Sequence, residues 1–216
     1  MSALTSAGLL RQALRRHGER EALAHGQTSW SYAALERESD RVAAGLRRLG
    51  VAAADPVALL LRTCVEYVVA DLALAKLAAV KVPLNDLLAL PDVAHALAHS
   101  GARLLIAHRS LAAIVPDSAR DRCVWANDVA GDRARPDLAS LPGDSDFSPA
   151  EADPDAAGLV LYTGGTTGRP KGVVHSYGAL GINLLAHAIY GEIAPRSGSC
   201  SPHRCRTRPA STCKRR

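Results

Sequence analysis

The 216-residue chain is poor in several things at once: one Phe, one Met, five Tyr and two Trp, with few Lys and Ile beside abundant Ala and Arg. That balance is what a GC-rich coding sequence produces. No run reaches the roughly 18 apolar residues that a membrane-spanning helix needs, so no membrane span is expected. Residues 1–21 lack the apolar centre of a secretory leader, which makes the cytoplasm the default compartment. Arg11, Arg15 and Arg16 lie across from Leu9, Leu10 and Leu14, a pattern read as an amphipathic surface helix and shared with transit peptides. Cys64 and Cys123 read as buried thiols of a reducing compartment. There is no internal repeat.

What is present alternates between helical and extended patterns. Ser31 is placed to cap a helix that runs to Leu49 and stops at Gly50. Residues 56–61 form a short continuous apolar run, as expected of a strand buried on both faces. Residues 64–79 have helical period, 80–84 are extended, a helix starting at Pro91 or Asp92 ends near Gly101, and 103–107 and 124–125 read as strands. A Pro/Asp/Ser-rich stretch, 131–155, has no apolar period and reads as a surface loop. Strand 158–162, a glycine-rich segment, extended residues 171–174 and a helix over 176–189 follow. This order implies an α/β fold with a mostly parallel sheet flanked by helices. His25, His95 and His99 read as surface residues.

The segment Tyr162-Thr163-Gly164-Gly165-Thr166-Thr167-Gly168-Arg169-Pro170-Lys171-Gly172-Val173-Val174 carries the most chemistry. Glycine permits positive φ and close backbone approach, so successive N–H groups at Gly164, Gly165 and Gly168 can turn toward one anion. Thr163, Thr166 and Thr167 add hydroxyl donors. Lys171 adds a compact charge on a long stem, suited to the spread charge of a triphosphate. A P-loop needs Lys and then Ser or Thr after its last glycine, whereas Arg169 and Pro170 follow Gly168, so this is another kind of nucleotide loop. His175 follows closely and reads either as a phosphate contact or as a solvent-facing residue at a helix entry.

This motif resembles the signature Tyr-Thr-Ser-Gly-Thr-Thr-Gly-x-Pro-Lys-Gly-Val of the adenylate-forming superfamily, which includes acyl-CoA synthetases, aryl-CoA ligases and peptide-synthetase adenylation domains. It departs at Gly164, where the family has Ser, which removes one hydroxyl donor and adds backbone freedom. Further similarities are Trp30-Ser31-Tyr32-Ala33-Ala34-Leu35, the run 41–61, residues 66–70, and 76–85 ending in Val82-Pro83-Leu84-Asn85. The resemblance spans residues 20–195. It implies a partial N-terminal region of the adenylate-forming fold, with 1–195 as part of the large domain and the remainder of that domain absent. It also implies activation of a fatty or aryl carboxylic acid by ATP with Mg2+ to an acyl-adenylate, then transfer to coenzyme A. Lys171 would be the catalytic cation, with Thr163, Gly164, Gly165, Thr166, Thr167 and Gly168 beside it on the β- and γ-phosphates. No metal ligand is assigned. The family's Mg2+ ligand, nucleoside pocket and lid lysine find no counterpart, so the 216 residues alone are expected to be inactive, incompletely covered and associated with chaperones. A domain that loads a carrier protein is the alternative within the family.

Residues 196–216 differ in kind: seven Lys or Arg, no acid and three of the five cysteines. Without them the formal charge of +5 becomes about −2, so the basic character belongs to the tail. A basic tail suggests nucleic acid or an anionic surface, and Cys200, His203, Cys205 and Cys213 suggest zinc. A non-catalytic protein with such a tail is the second function class. The cysteines lack paired short spacing and no aromatics are interleaved for base stacking, so neither partner is expected. Synonymous codons exist that hide Glu-Arg-Val-Leu-Leu-Thr-Thr-Pro-Leu-Pro-His-Pro-Ala-Gly in another frame, similar to the family's next motif. The tail therefore reads as an out-of-frame or disordered extension.

Overall fold

Thr5 starts the first helix: its hydroxyl accepts the backbone N–H of Gly8 at 3.1 Å, and α1 (Ser6–His17) follows. The computed structural model describes residues 4–25, 28–126, 137–163 and 170–190. Strands β1 (Glu21–His25) and β2 (Thr28–Ser31) then pair antiparallel as a separate two-stranded sheet. Ser31 ends β2 and caps α2 (Tyr32–Arg48), its Oγ accepting the N–H of Ala34 at 3.1 Å, and the chain leaves that helix through Gly50 at φ +89°. The cap and the glycine stop are where the sequence places them.

The main sheet is built from β3 (Pro56–Leu60), β4 (Val80–Pro83), β5 (Leu104–His108), β6 (Cys123–Ala126), β7 (Ala157–Thr163) and β8 (Lys171–Ser176). Their spatial order is β6-β5-β3-β4-β7-β8, parallel throughout except for the last pair, which is antiparallel. Helices α3 (Val65–Lys76), α4 (Leu90–Ser100) and the single turn α5 (Asp117–Arg120) connect the parallel strands, with a 3₁₀ helix at Arg109–Ile114. Helix α6 (Tyr177–Tyr190) closes the described chain. This confirms a mostly parallel α/β sheet flanked by helices.

Strand alternation sends neighbouring residues to opposite faces. On β3, Val57 and Leu59 join the core under α2 and α3, where Leu35, Val42, Leu46, Val69 and Leu74 are packed. Ala58 and Leu60 join a second core under α4 with Val82, Val93, Leu97, Leu105 and Trp125. Full burial of each such leucine contributes about 1.5–3 kcal/mol, so β3, apolar on both sides, fixes the centre of the sheet.

Two expectations are corrected. The stretch 131–155 is not simply a surface loop: within its described part Asp137, Leu138, Leu141 and Ala152 are buried. A Cβ on Gly45 of α2 would lie 2.6 Å from Cβ of Leu141, so the missing side chain is what admits this segment against the helix. Arg41, paired with Glu38, donates to the carbonyls of Leu138 and Leu141 and fastens it there. Cys64 is half-buried, not buried as expected, whereas Cys123 is buried. Burial pushes the Cys64 thiol up to about 11.

One buried cation was not anticipated. Lys76 at the end of α3 donates to Asp40 Oδ1 at 2.6 Å and to the carbonyl of Glu36 at 2.9 Å. Burial pushes its pKa down and Asp40 opposes the shift, so the pair ties α3 to α2.

Candidate functional site

The described parts of the glycine-rich motif are the last residues of β7 and the first of β8. Thr163 and Lys171 are Cα partners in the antiparallel register, and Thr163 Oγ1 donates to the Lys171 carbonyl at 3.4 Å. The two ends of the motif are therefore side by side. Gly164, Gly165, Thr166, Thr167 and Gly168 lie outside the described residues, so of the expected phosphate contacts Thr163 and Lys171 are the two with a described position. Both are exposed.

Register also sorts the side chains by face. Directly paired residues share a face and successive residues alternate. Thr163, Leu161, Lys171, Val173 and His175 thus fall on one side, with Tyr162, Val160, Gly172 and Val174 on the other. His175 shares the Lys171 face but lies four residues along β8, about 13 Å at roughly 3.3 Å per residue. That separation is too large for both to reach one phosphate oxygen without the lysine stem folding back.

Gly172 is the cross-strand partner of Tyr162, and a Cβ there would press on Val160 Cγ1 at 3.0 Å while meeting Tyr162 Cζ at an ordinary 3.5 Å. The Tyr162 hydroxyl reaches α4, donating to the Ala96 carbonyl at 3.2 Å. His99 Nδ1 is 2.9 Å from the same hydroxyl, with the rings edge-on at 77°. His95, one turn earlier on α4, has Nε2 3.3 Å from the carbonyl of Pro170. Burial pushes the Tyr162 phenol up, with a Ser100 hydrogen bond opposing it.

His99 is exposed and His95 half-buried, in keeping with surface residues, yet through them α4 reaches Tyr162 on β7 and the carbonyl of Pro170 just before β8. Their i, i+4 spacing on a helix was the signal in the sequence, since it places two imidazoles on one flank. Nothing in the sequence said which strand that flank would meet.

Behind the hairpin, on the Leu159 side, α1, α3 and α6 enclose a cleft of about 200 Å³ lined by Ser6, Leu10, Asp71, Lys81, Tyr177 and Asn183 among others. Asp71 and Lys81 form an ion pair within it. Tyr177 packs its ring on Gly158 and donates to the Ala79 carbonyl at 2.6 Å, anchoring the start of α6. Among the described residues no three His, Cys, Asp or Glu side chains gather as a metal site. No helix among them is long and apolar enough to cross a membrane.

Comparison with known proteins agrees with this fold and motif. A model of the AMP-binding enzyme family matches residues 10–203, a range that starts before residue 20 and runs past 195. The chain is 34% identical over 190 residues to 4-coumarate–CoA ligase 3 of Oryza sativa subsp. japonica, covering 81% of this chain and 32% of that protein. It is 35% identical over 173 residues to a feruloyl-CoA synthase of an Amycolatopsis species, covering 80% of this chain and 33% of that one. Among solved structures, a long-chain-fatty-acid–CoA ligase from Archaeoglobus fulgidus superposes with a TM-score of 0.77 at 25% identity, covering 90% of this chain and 41% of that chain. The chain spans about a third of the length of the curated relatives it matches. With the β7–β8 motif, the sheet order and these matches taken together, this chain belongs to the AMP-binding enzyme family.

Proposed function

We propose that the end of the β7–β8 hairpin is the phosphate site of an acid-activating ligase, in which Lys171 and Thr163, with Gly164, Gly165, Thr166, Thr167 and Gly168, hold the β- and γ-phosphates of ATP. The observation that carries this is the pairing of Thr163 with Lys171, which brings the two ends of the glycine-rich motif together with both residues exposed. The reaction follows from that grip. A carboxylate oxygen attacks the α-phosphorus, the bond to the β-phosphate oxygen breaks, and pyrophosphate leaves with the electron pair, its charge met by Lys171. The thiol sulfur of coenzyme A then attacks the acyl carbon and AMP departs. The acid is of the fatty or aryl class, a reading supported by the activities of the relatives named above.

The donors at the hairpin end are cationic and hydroxylic, which fits phosphate oxygens and not a divalent cation. Mg2+ would neutralise phosphate charge when bound. Gripping two phosphates leaves the α-phosphate unoriented, and orientation is worth up to roughly 7–11 kcal/mol of barrier. The 216 residues alone are therefore expected to bind triphosphate without acid-dependent exchange of pyrophosphate. Residues 196–216 are proposed to be dispensable for that binding. The cytoplasm is the proposed compartment, and exposed Ile182, Leu184 and Ile189 on α6 support association with chaperones.

Titration calorimetry with Mg-ATP and with inorganic triphosphate tests the site. Lys171→Ala removes a charge-assisted hydrogen bond of about 1.5–3 kcal/mol, hence roughly ten- to a hundredfold in affinity. Equal binding by the parent and Lys171→Ala chains would overturn the assignment.

A further inference from the structure

We propose that His95 and His99 on α4 are positioning residues that hold Lys171 and Thr163 for phosphate binding; the proposal rests on the reading of the hairpin end as a phosphate site. The peptide group between Pro170 and Lys171 is gripped through its carbonyl by His95 Nε2 at 3.3 Å. The next peptide group, between Lys171 and Gly172, lies opposite Thr163 in the register, with the Thr163 hydroxyl 3.4 Å from its carbonyl until phosphate draws it away. Both peptide planes that flank the Lys171 Cα are therefore fixed, and with them the direction in which its side chain leaves the strand. On the partner strand, Tyr162 is fixed by His99 at 2.9 Å and by the Ala96 carbonyl at 3.2 Å, which sets the plane from which Thr163 continues.

One short stretch of helix thus holds both sides of the hairpin end. Its own placement is rigid: Val93, Ala96 and Leu97 are buried in the core under α4, and Gly101 in the left-handed conformation closes the helix. The imidazole centroids are 5.5 Å apart. The histidines act from the Tyr162 face, whereas Lys171 and Thr163 belong to the opposite face by register, so the anchors leave the ligand side unobstructed. A positioned lysine loses less freedom when a phosphate binds, which is how anchoring converts into affinity.

The geometry fixes one proton. A carbonyl only accepts, so His95 must carry a proton on Nε2 to reach Pro170. Tyr162 and His99 share a hydrogen bond whose direction follows the His99 tautomer. Long-range 1H–15N spectra of the full chain should show His95 protonated on Nε2. Amide exchange at Lys171 and Gly172 should accelerate in the double variant His95→Ala/His99→Ala. Inorganic triphosphate should bind that variant about three- to tenfold more weakly at an unchanged melting midpoint, since a neutral hydrogen bond rarely carries more. His95→Gln, which retains an N–H donor, should recover most of the affinity lost in His95→Ala. A His95 without a proton on Nε2, or unaltered exchange at Lys171 in the double variant, would overturn the anchoring. Triphosphate affinity equal to the parent's, with exchange accelerated, would overturn the claim that anchoring serves binding. If the parent itself binds no triphosphate, the phosphate reading falls, and the positioning claim falls with it whatever the tautomers show.

Discussion

Val57, Ala58, Leu59 and Leu60 on β3 have no exposed surface, whereas Val174 on β8 is 62% exposed and Ile189 on α6 is 72% exposed. β3 and β8 are strands of the same six-stranded sheet, with α6 following β8 directly. They differ in how their cover is delivered. Each parallel connection carries its own helix back across the sheet, so β3, β4, β5 and β6 bring α3, α4 and α5 with them. The antiparallel step from β7 to β8 needs no crossover and brings no helix. Its one face is met by the flank of α4 and the other by α6, of which only Tyr177 and Gly181 are buried. Thr163 and Lys171, proposed to meet phosphate, are exposed at the end of that lightly covered hairpin, while the proposed anchors His95 and His99 belong to the well-packed helix. Stability and access are thus assigned to adjoining parts of one sheet.

The largest effect should separate those parts. Leu59→Ala removes a side chain packed on every side and should cost about 2.7–5 kcal/mol, the range for leucine truncation with a residual cavity. Val174→Ala removes exposed surface and should stay within about 0.5 kcal/mol. Urea denaturation of both variants gives the comparison directly. Similar losses would mean that β8 is covered in solution after all, and the contrast would be wrong.

Next in size is the anchor between the regions. Tyr177→Phe leaves the ring on Gly158 but strips the Ala79 carbonyl of its 2.6 Å partner in a buried setting, at a cost of about 1–3 kcal/mol. Tyr190→Phe, at the exposed end of α6, should be neutral by the same measurement. An equally silent Tyr177→Phe would show that α6 is not held through that hydroxyl.

Alkaline pH sharpens the comparison further. Burial pushes the Tyr67 phenol up to about 12, pushes Tyr177 up as well, and raises the Cys64 thiol to about 11. All three keep their protons longer in the folded chain than in the unfolded one. Above the ordinary thiol and phenol values of about 8.5–10 the native state therefore holds more protons than the unfolded state, and stability must fall as pH rises. Below that range the contribution is fully present. Tyrosinate absorbance and far-UV circular dichroism recorded together should show Tyr67 and Tyr177 ionising only with loss of helix. Complete, reversible ionisation with the helix signal intact would refute the burial argument.

Much of the well-covered region was legible because its signals are local or periodic. Ser31 as a cap, Gly50 and Gly101 as stops, and the unbroken apolar run on β3 each act within a few residues. The motif from Tyr162 to Val174 was legible because its glycines, threonines and lysine serve one chemistry. Other features depend on partners distant in sequence. Leu138 and Leu141 are buried because Gly45 and Arg41, about a hundred residues earlier, receive them, and no apolar period marks such a segment. The β1–β2 hairpin carries mostly exposed polar residues at Glu21, Thr28 and Ser29, so it lacks the alternation that announces a strand. His95 and His99 gain their role only once β7 and β8 pair antiparallel beside α4.

The smallest expected effect tests whether the well-packed region is also optimised locally. Cys64 is the N-cap of α3, with extended backbone at φ −147° and ψ 171°, yet its side chain makes no capping hydrogen bond. Sulfur is a weak acceptor, and the helix start is left with Glu66 as the acidic residue of its first turn. Serine places an oxygen on nearly the same stem and is among the preferred capping residues. Cys64→Ser should therefore stabilise the chain by up to about 1 kcal/mol, less than any loss expected for Leu59→Ala and opposite in sign. The same variant removes one of the three groups whose raised pKa weakens the fold at high pH, so its advantage should widen as pH climbs from 9 toward 11. Urea midpoints measured at neutral pH and again at pH 10 resolve both effects. A destabilised Cys64→Ser chain would mean that the apolar packing of the sulfur outweighs the missing cap. A gain that does not grow with pH would leave capping intact and remove the thiol from the alkaline account.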